Sequence, residues 1–196
     1  MIQTWPDINA LIRILSAYRP VMLPETAERA AVMLILLVDE DDQVEIVLTK
    51  RAATLPAYAG HFSLPGGMHD KTDINLYQTA VREVHEELNL SETVYQHIGQ
   101  LDDFSAREGH LVRPFVTVMQ KRNFEKMHAL APSEIDHIYY LALTRLDRFV
   151  DDPALHVLTR RRPSYVFREG EVFIWGLTAS ILVHLFDIIK TTLDYK

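Results

Sequence analysis

Hydrophobic and polar positions along the chain alternate with two different periods. In residues 7–19 the apolar positions Ile8, Leu11, Ile12 and Leu15 recur at helical spacing behind Asp7, a residue type that caps a first turn, so the pattern predicts an N-terminal helix. Residues 30–39 and 44–51 are runs rich in Val, Ile and Leu, separated by the polar stretch 40–43, and read as two strands of a hairpin. Pro65-Gly66-Gly67 is expected to stop the β region in a sharp loop. From Ile74 to Leu90 the period becomes 3.6, with Tyr77, Ala80, Val81, Val84 and Leu88 on one face of an amphipathic helix. Further strands are expected around 94–104, 111–119 and 135–143, and a mixed, loop-like segment from Thr144 to Arg162. The closing stretch 175–190, with Ile181, Leu182, Leu185, Phe186, Ile188 and Ile189 on a broad apolar face, reads as a helix packed on a sheet and not as a membrane anchor.

Composition narrows what such a chain does. A length of 196 residues with 48% hydrophobic positions is enough for one good core, so one domain (30–196) with an N-terminal helical extension (1–29) is the expectation. A net charge of −7 speaks against a nucleic-acid coat, since such proteins lead with Lys and Arg. The same acidity means that a phosphorylated substrate needs a local attractor, for which a divalent cation is suited. With no Cys, disulfides, thiolate zinc sites and cysteine nucleophiles are excluded. The first fifteen residues lack the basic segment and apolar run of a secretory signal, and a cytoplasmic location is expected.

One helix carries candidate chemistry. At about 100° per residue, Glu87 lies about 40° from Glu83, and Glu86 about 60° to its other side, so three carboxylates share one patch while the apolar face centres roughly 130° away. By itself an acidic triplet is an ordinary solvated helix face. Packed this closely, however, like charges raise one another's pKa unless a cation lies among them, and hard oxygen ligands suit Mg²⁺ or Mn²⁺. A Gly-Gly loop precedes the helix, which contains Arg82-Glu83-Val84-His85-Glu86-Glu87-Leu88-Asn89-Leu90.

This segment resembles the Nudix box, which runs Gly, five residues, Glu, seven residues, then Arg-Glu-U-x-Glu-Glu-x-Gly-U, with U aliphatic. Arg82, Glu83, Val84, Glu86, Glu87 and Leu90 match its second half, and Gly67 its opening Gly. The segment between Gly67 and Arg82 is one residue longer than the general box. Asp73 stands for the Glu and keeps a carboxylate able to pair with Arg82. Asn89 replaces the later Gly and tolerates the positive φ of a helix C-cap. The longer spacing is shared with the coenzyme A pyrophosphatase branch of the family, whose upstream motif Thr49, Arg51, Gly60, Ser63 and Pro65 match in register. Pro56 and Leu64 depart from that motif, Pro56 replacing an Arg suited to a substrate phosphate. The ending Ile174–Ala179 is also similar to that branch.

The resemblance implies an α/β (α+β) fold, a Nudix α/β/α sandwich with a mixed β-sheet, and a metal-dependent hydrolysis of a diphosphate bond. Glu83, Glu86, Glu87 and the Gly66 carbonyl would be metal ligands for Mg²⁺ or Mn²⁺, and Arg51 and Gly67 would face the bound groups. Arg82 would pair with Asp73 or orient Glu83. Glu87 and Glu134 are the two candidates for general base. The implied substrate is a small diphosphate, coenzyme A or acyl-CoA first. Another nucleoside diphosphate derivative and a non-catalytic nucleotide-binding module remain as alternatives. No nucleic-acid or membrane partner is expected, and a homodimer is left open. Arg160, Arg161 and Arg162 read as a solvated basic turn, and the nine His residues lack the i, i+4 pairing of a helical zinc site. His69 and His85 lie near the carboxylates without being ligands on that ground. Trp175 and Phe186 read as core residues.

Overall fold

The run Arg29–Val38 is apolar without alternation because the strand it forms is covered on both faces. The computed structural model describes residues 2, 4–24, 28–106, 109–156 and 163–194. In chain order its elements are α1 (Ile8–Ala17), β1 (Arg29–Val38), β2 (Val44–Arg51), β3 (Phe62–Ser63), β4 (Gly66–Met68), α2 (Leu76–Leu88), β5 (Gln96–Gln100), β6 (Phe104–Ser105), β7 (Leu111–Gln120), α3 (Lys121–Met127), β8 (Ile135–Ala142), β9 (Val150–Asp151), β10 (Tyr165–Glu169), β11 (Val172–Trp175) and α4 (Gly176–Asp194).

A mixed sheet is ordered β3-β2-β1-β7-β5, with β4 on β1, β6 on β7 and β8 on β2. β1 and β7 run parallel from Arg29↔Leu111 to Val38↔Gln120. Met33, Ile35 and Leu37 point to one face and pack with Val84 and Leu88 of α2 and Phe124 of α3. Leu34 and Leu36 point to the other, where α1 and α4 supply Leu11, Leu15, Leu182 and Leu185. The helix–sheet–helix layering matches the fold that the sequence implies.

The expected hairpin is partial. β1 and β2 pair only from Leu36↔Ile46 to Val38↔Val44, after which β2 turns away. Its freed edge takes β3, while the freed edge of β1 takes β4, at Ala30↔Met68, Ala31↔Gly67 and Val32↔Gly66. Pro65-Gly66-Gly67 therefore does not end the β region as expected. Gly66, at φ +152, lies so close to β1 that a Cβ there would stand 2.3 Å from the Ala31 carbonyl oxygen. The pair of glycines lets a strand lie in the fork between β1 and β2, and that fork is where the candidate site forms.

α2 begins two residues later and ends two earlier than the pattern predicts. Its N-cap is Asn75, whose side chain accepts from the Gln78 N–H at 3.0 Å. Its C-cap is Asn89 in the left-handed conformation, φ 55 and ψ 30. Asn89→Ala should therefore cost about 1 kcal/mol and Asn89→Gly only a few tenths, read as denaturation midpoints. Equal losses in both would mean that the side chain and not the backbone angle matters.

Two parts of the chain depart from the pattern-based reading. Lys121–Met127 is helical although only Phe124 of its seven residues is buried, too little for a visible period. The mixed segment from Thr144 holds the 3₁₀ turns Leu143–Arg148 and Pro153–Leu155 and the strand β9, which joins β10 and β11 in a second antiparallel sheet. Arg160, Arg161 and Arg162 lie outside the described residues.

α4 is long and apolar enough, by length and composition, to cross a membrane. Ala179, Ile181, Leu182, Val183, Leu185, Ile188 and Ile189 are nevertheless buried against the protein core. Phe186 packs on Trp5, at 5.9 Å between ring centroids. Trp175 is half-buried beside His61 and Phe173.

Candidate active site

α2 buries Leu76, Thr79, Ala80, Val84 and Leu88, and the rotation that this fixes decides where its carboxylates go. They do not share one exposed edge as the helical arithmetic suggests. Glu87 is turned inward and is 3% exposed, the side chain of Glu83 is 14% exposed, and that of Glu86, at 50%, faces solvent. β2 leaves β1 beside this helix, and the Glu87 carboxylate feels Gly66 of β4 and Arg51 at the end of β2, the two strands that flank the fork.

The two glycines shape the space around the acids. A backbone hydrogen bond from Gly66 reaches the Glu87 carboxylate. Gly67 lies under Glu83: a Cβ at Gly67 would meet the Glu83 carboxylate at 2.4 Å, so only glycine lets that side chain lie flat on the loop. The last turn of α2 is tied down by Ala129, whose N–H donates to the Leu88 carbonyl at 3.0 Å, and by Ala131, whose N–H donates to that of Glu87 at 3.1 Å. These bonds satisfy carbonyls that a helix end leaves open. They also bring the following turn to the site, where the exposed Glu134 adds its charge beside Glu83 and Glu87.

Burial, then the neighbouring Glu83 charge, pushes the Glu87 carboxyl up to about 8. Burial also raises Glu83, against the pull of Arg82. Arg51, at the end of β2, places a positive charge close enough to favour ionised Glu87, and its buried Nε has no hydrogen-bond partner among the described residues. The buried Oε2 of Glu87 is unpartnered in the same sense.

Arg82 organises the outer side. It donates to Asp73 from Nε at 3.0 Å and from Nη2 at 3.1 Å, from Nη1 to both Glu83 and Glu86 at 2.8 Å, and from Nη2 to the Met68 carbonyl at 3.0 Å. Hydrogen bonds from Arg82, ahead of the opposing effect of burial, hold Asp73 down at about 2. The Asp that replaces the Glu of the general box thus reaches its Arg. Ile74, between Asp73 and the cap Asn75, is 89% exposed, so the longer connection is absorbed at the surface.

The arrangement brings together Glu83, Glu87, Gly66, Gly67, Arg51 and Glu134. It leaves Glu86 on the rim, held by Arg82. Among the described residues no three His, Asp or Glu side chains stand as a ready ligand cluster, since Glu83 and Glu86 each turn an oxygen to Arg82. The donor set nonetheless suits a hard divalent cation: a buried carboxylate with an orphan oxygen, a second one beside it and a third within one helical turn. Pattern reading places His69 near the carboxylates without a role and misses Thr79; the two hydrogen-bond to each other at 2.9 Å behind Asp73. The available signal was a hydroxyl at position 79 amid the apolar face of α2.

Comparison with known proteins gives a consistent picture. A NUDIX domain family model matches residues 27–162. The chain is 31% identical over 168 residues to the uncharacterized Nudix hydrolase NudL of Photorhabdus laumondii, covering 85% of this chain and 87% of that one. It is 29% identical to the mitochondrial Nudix hydrolase 15 of Arabidopsis thaliana, covering 80% of this chain and 56% of that one. Among solved structures, that of a Caenorhabditis elegans Ap4A hydrolase binary complex superposes with a TM-score of 0.53 at 16% identity, over 86% of this chain and 98% of that one.

Proposed function

The chain belongs to the Nudix family and is a Nudix hydrolase, and from that premise we propose that it is a Mg²⁺- or Mn²⁺-dependent diphosphatase acting first on coenzyme A or an acyl-CoA. Glu87 carries the metal reading: it is 3% exposed, has an unpartnered Oε2 and lies next to Glu83 and Glu134. A lone carboxylate is expensive to bury, and a cation among these acids offsets both the desolvation and the mutual repulsion. Glu83, Glu86 and Glu87 would hold it, with the Gly66 carbonyl as a further donor. Bound there, a divalent cation would supply charge neutralisation for the diphosphate and a lowered pKa for a water molecule.

The chain's own residues do the rest. Arg82 fixes Glu83 and Glu86 and is held by Asp73, so the acids are oriented before substrate arrives. Gly67 leaves room for Glu83, and Arg51 presents a cation to the phosphate side of the fork. Glu87, when it is not holding metal, and Glu134, exposed at the rim, are the two groups placed to take a proton from water. The catalytic unit is residues 30–196, with residues 1–29 as a helical extension.

The coenzyme A preference rests on the upstream motif Thr49, Arg51, Gly60, Ser63 and Pro65 and on the longer box. Pro56 removes one cation expected of that branch and favours, as second reading, a different nucleoside diphosphate derivative. Incubation with Mg²⁺ or Mn²⁺ and a panel of coenzyme A, NADH, ADP-ribose and nucleoside triphosphates distinguishes them. The expected result is adenosine 3′,5′-bisphosphate and a phosphopantetheine fragment from coenzyme A. Preference for ADP-ribose overturns that substrate alone. Binding of a nucleotide without cleavage of any member would make the chain a binding module.

A further inference from the structure

His69 stands at the end of β4, where its backbone N–H donates to the Arg29 carbonyl at 2.9 Å. Its ring lies between two groups of opposite hydrogen-bonding character. On one side Arg29 Nη2 is 3.1 Å from Nε2. A guanidinium nitrogen only donates, so Nε2 is the acceptor and the proton of the neutral ring sits on Nδ1. On the other side Nδ1 is 2.9 Å from Thr79 Oγ1 and donates to it. Thr79 is fully buried and passes its own proton to Asp73 Oδ2 at 2.9 Å, in preference to the Asn75 carbonyl at 3.4 Å. Asp73 then accepts both bonds from Arg82.

The donor directions therefore run one way, from Arg29 through His69 and Thr79 to Asp73, which Arg82 meets from the far side. The turn at residues 70–73 completes the seat: Asp70 N–H donates to Asp73 Oδ2 at 3.0 Å, and Asp70 Oδ1 accepts from the N–H of Thr72 at 2.8 Å. With one methylene fewer than Glu, Asp73 needs such support to present both oxygens to Arg82.

We propose that His69 is a positioning residue of the active site: locked by Arg29 as the Nδ1–H tautomer, it holds Asp73 through Thr79 and so fixes the Arg82 guanidinium that orients Glu83 and Glu86. Its two ring nitrogens are both spent in this chain, which is why it stands near the carboxylates without ligating. The inference rests on the metal-dependent reading for its effect on catalysis, but not for the hydrogen-bond chain itself.

Long-range ¹H–¹⁵N spectra of the wild-type imidazoles, recorded without metal, should show His69 as the Nδ1–H tautomer. An Nε2–H tautomer overturns the proposal. His69→Ala should lower kcat by about tenfold with KM changed less than twofold, and should weaken Mn²⁺ binding, followed by electron paramagnetic resonance without substrate, by a similar factor. His69→Asn, whose amide N–H reaches where Nδ1–H was, should recover most of both. Unchanged kcat and Mn²⁺ affinity in His69→Ala, or no recovery in His69→Asn while the Nδ1–H tautomer is absent from wild type, refute the positioning role. Should His69→Ala not fold, the tautomer and the His69→Asn constants decide. A wild-type protein that binds no Mn²⁺ yet keeps the tautomer would instead overturn the proposed function.

Discussion

Glu87→Gln should lower turnover on the diphosphate substrate by about three orders of magnitude while making the metal-free protein more stable at alkaline pH. The activity loss follows from the role proposed for this acid: metal-assisted stabilisation of the transition state is worth several kcal/mol, and each 1.4 kcal/mol is a factor of ten. The stability gain has a separate cause. Burial, reinforced by Glu83, raises the Glu87 carboxyl from the ordinary 4.5 to about 8, so the folded protein binds this proton more tightly than the unfolded chain does. That contribution is complete below about 4.5 and is lost as pH rises through about 8. Gln has nothing to ionise. The difference in melting temperature in favour of Glu87→Gln should thus be smallest near pH 5, widen up to pH 8 and level off above it. Saturating Mg²⁺ or Mn²⁺ should stabilise wild type much more than the variant. Thermal melts over that range with and without cation, beside steady-state rates, check both halves, and wild-type turnover in the variant refutes the ligand assignment.

The sequence exposes most of the frame and part of the site for reasons that can be named. A strand covered on both faces and an amphipathic helix leave strong periodic signals, which is why β1 and α2 are readable to within two residues. Asn89 is readable as a left-handed cap because few residues tolerate that angle. The second sheet leaves no such signal: β9 has two residues and β11 four, too short for alternation to register. The strand β4 hides behind its glycines, which announce a turn in most settings and here announce close backbone approach. Helical arithmetic groups the three glutamates, but it gives rotation about one axis and not the fork in the sheet that receives Glu87. The support behind Asp73 is illegible, since His69 and Thr79 are ten residues apart and meet only when β4 packs beside α2.

Arg82 is where fold stability and site geometry meet, and removing it should show in both. Arg82→Ala should cost about 3 kcal/mol at pH 7, because it strands an Asp73 side chain that is only 5% exposed. The figure sits at the low end for a broken buried pair since Arg82 itself is 28% exposed and partly screened. Asp73→Asn should cost less, as Arg82 keeps Glu83, Glu86 and the Met68 carbonyl. In the double variant the losses should fall short of their sum by about 2 kcal/mol, the coupling expected of groups in one hydrogen-bond network. Arg82 holds the Asp73 carboxyl at about 2, below its ordinary 3.8, so the pair's contribution is present above about 3.8 and is lost as pH falls through about 2. The cost of Arg82→Ala should accordingly shrink in urea titrations at pH 3 relative to pH 7. Turnover at pH 7 should drop about a hundredfold as Glu83 and Glu86 lose their common donor. Additive losses in the double variant, or a cost independent of pH, would show that Asp73 and Arg82 do not act as a pair.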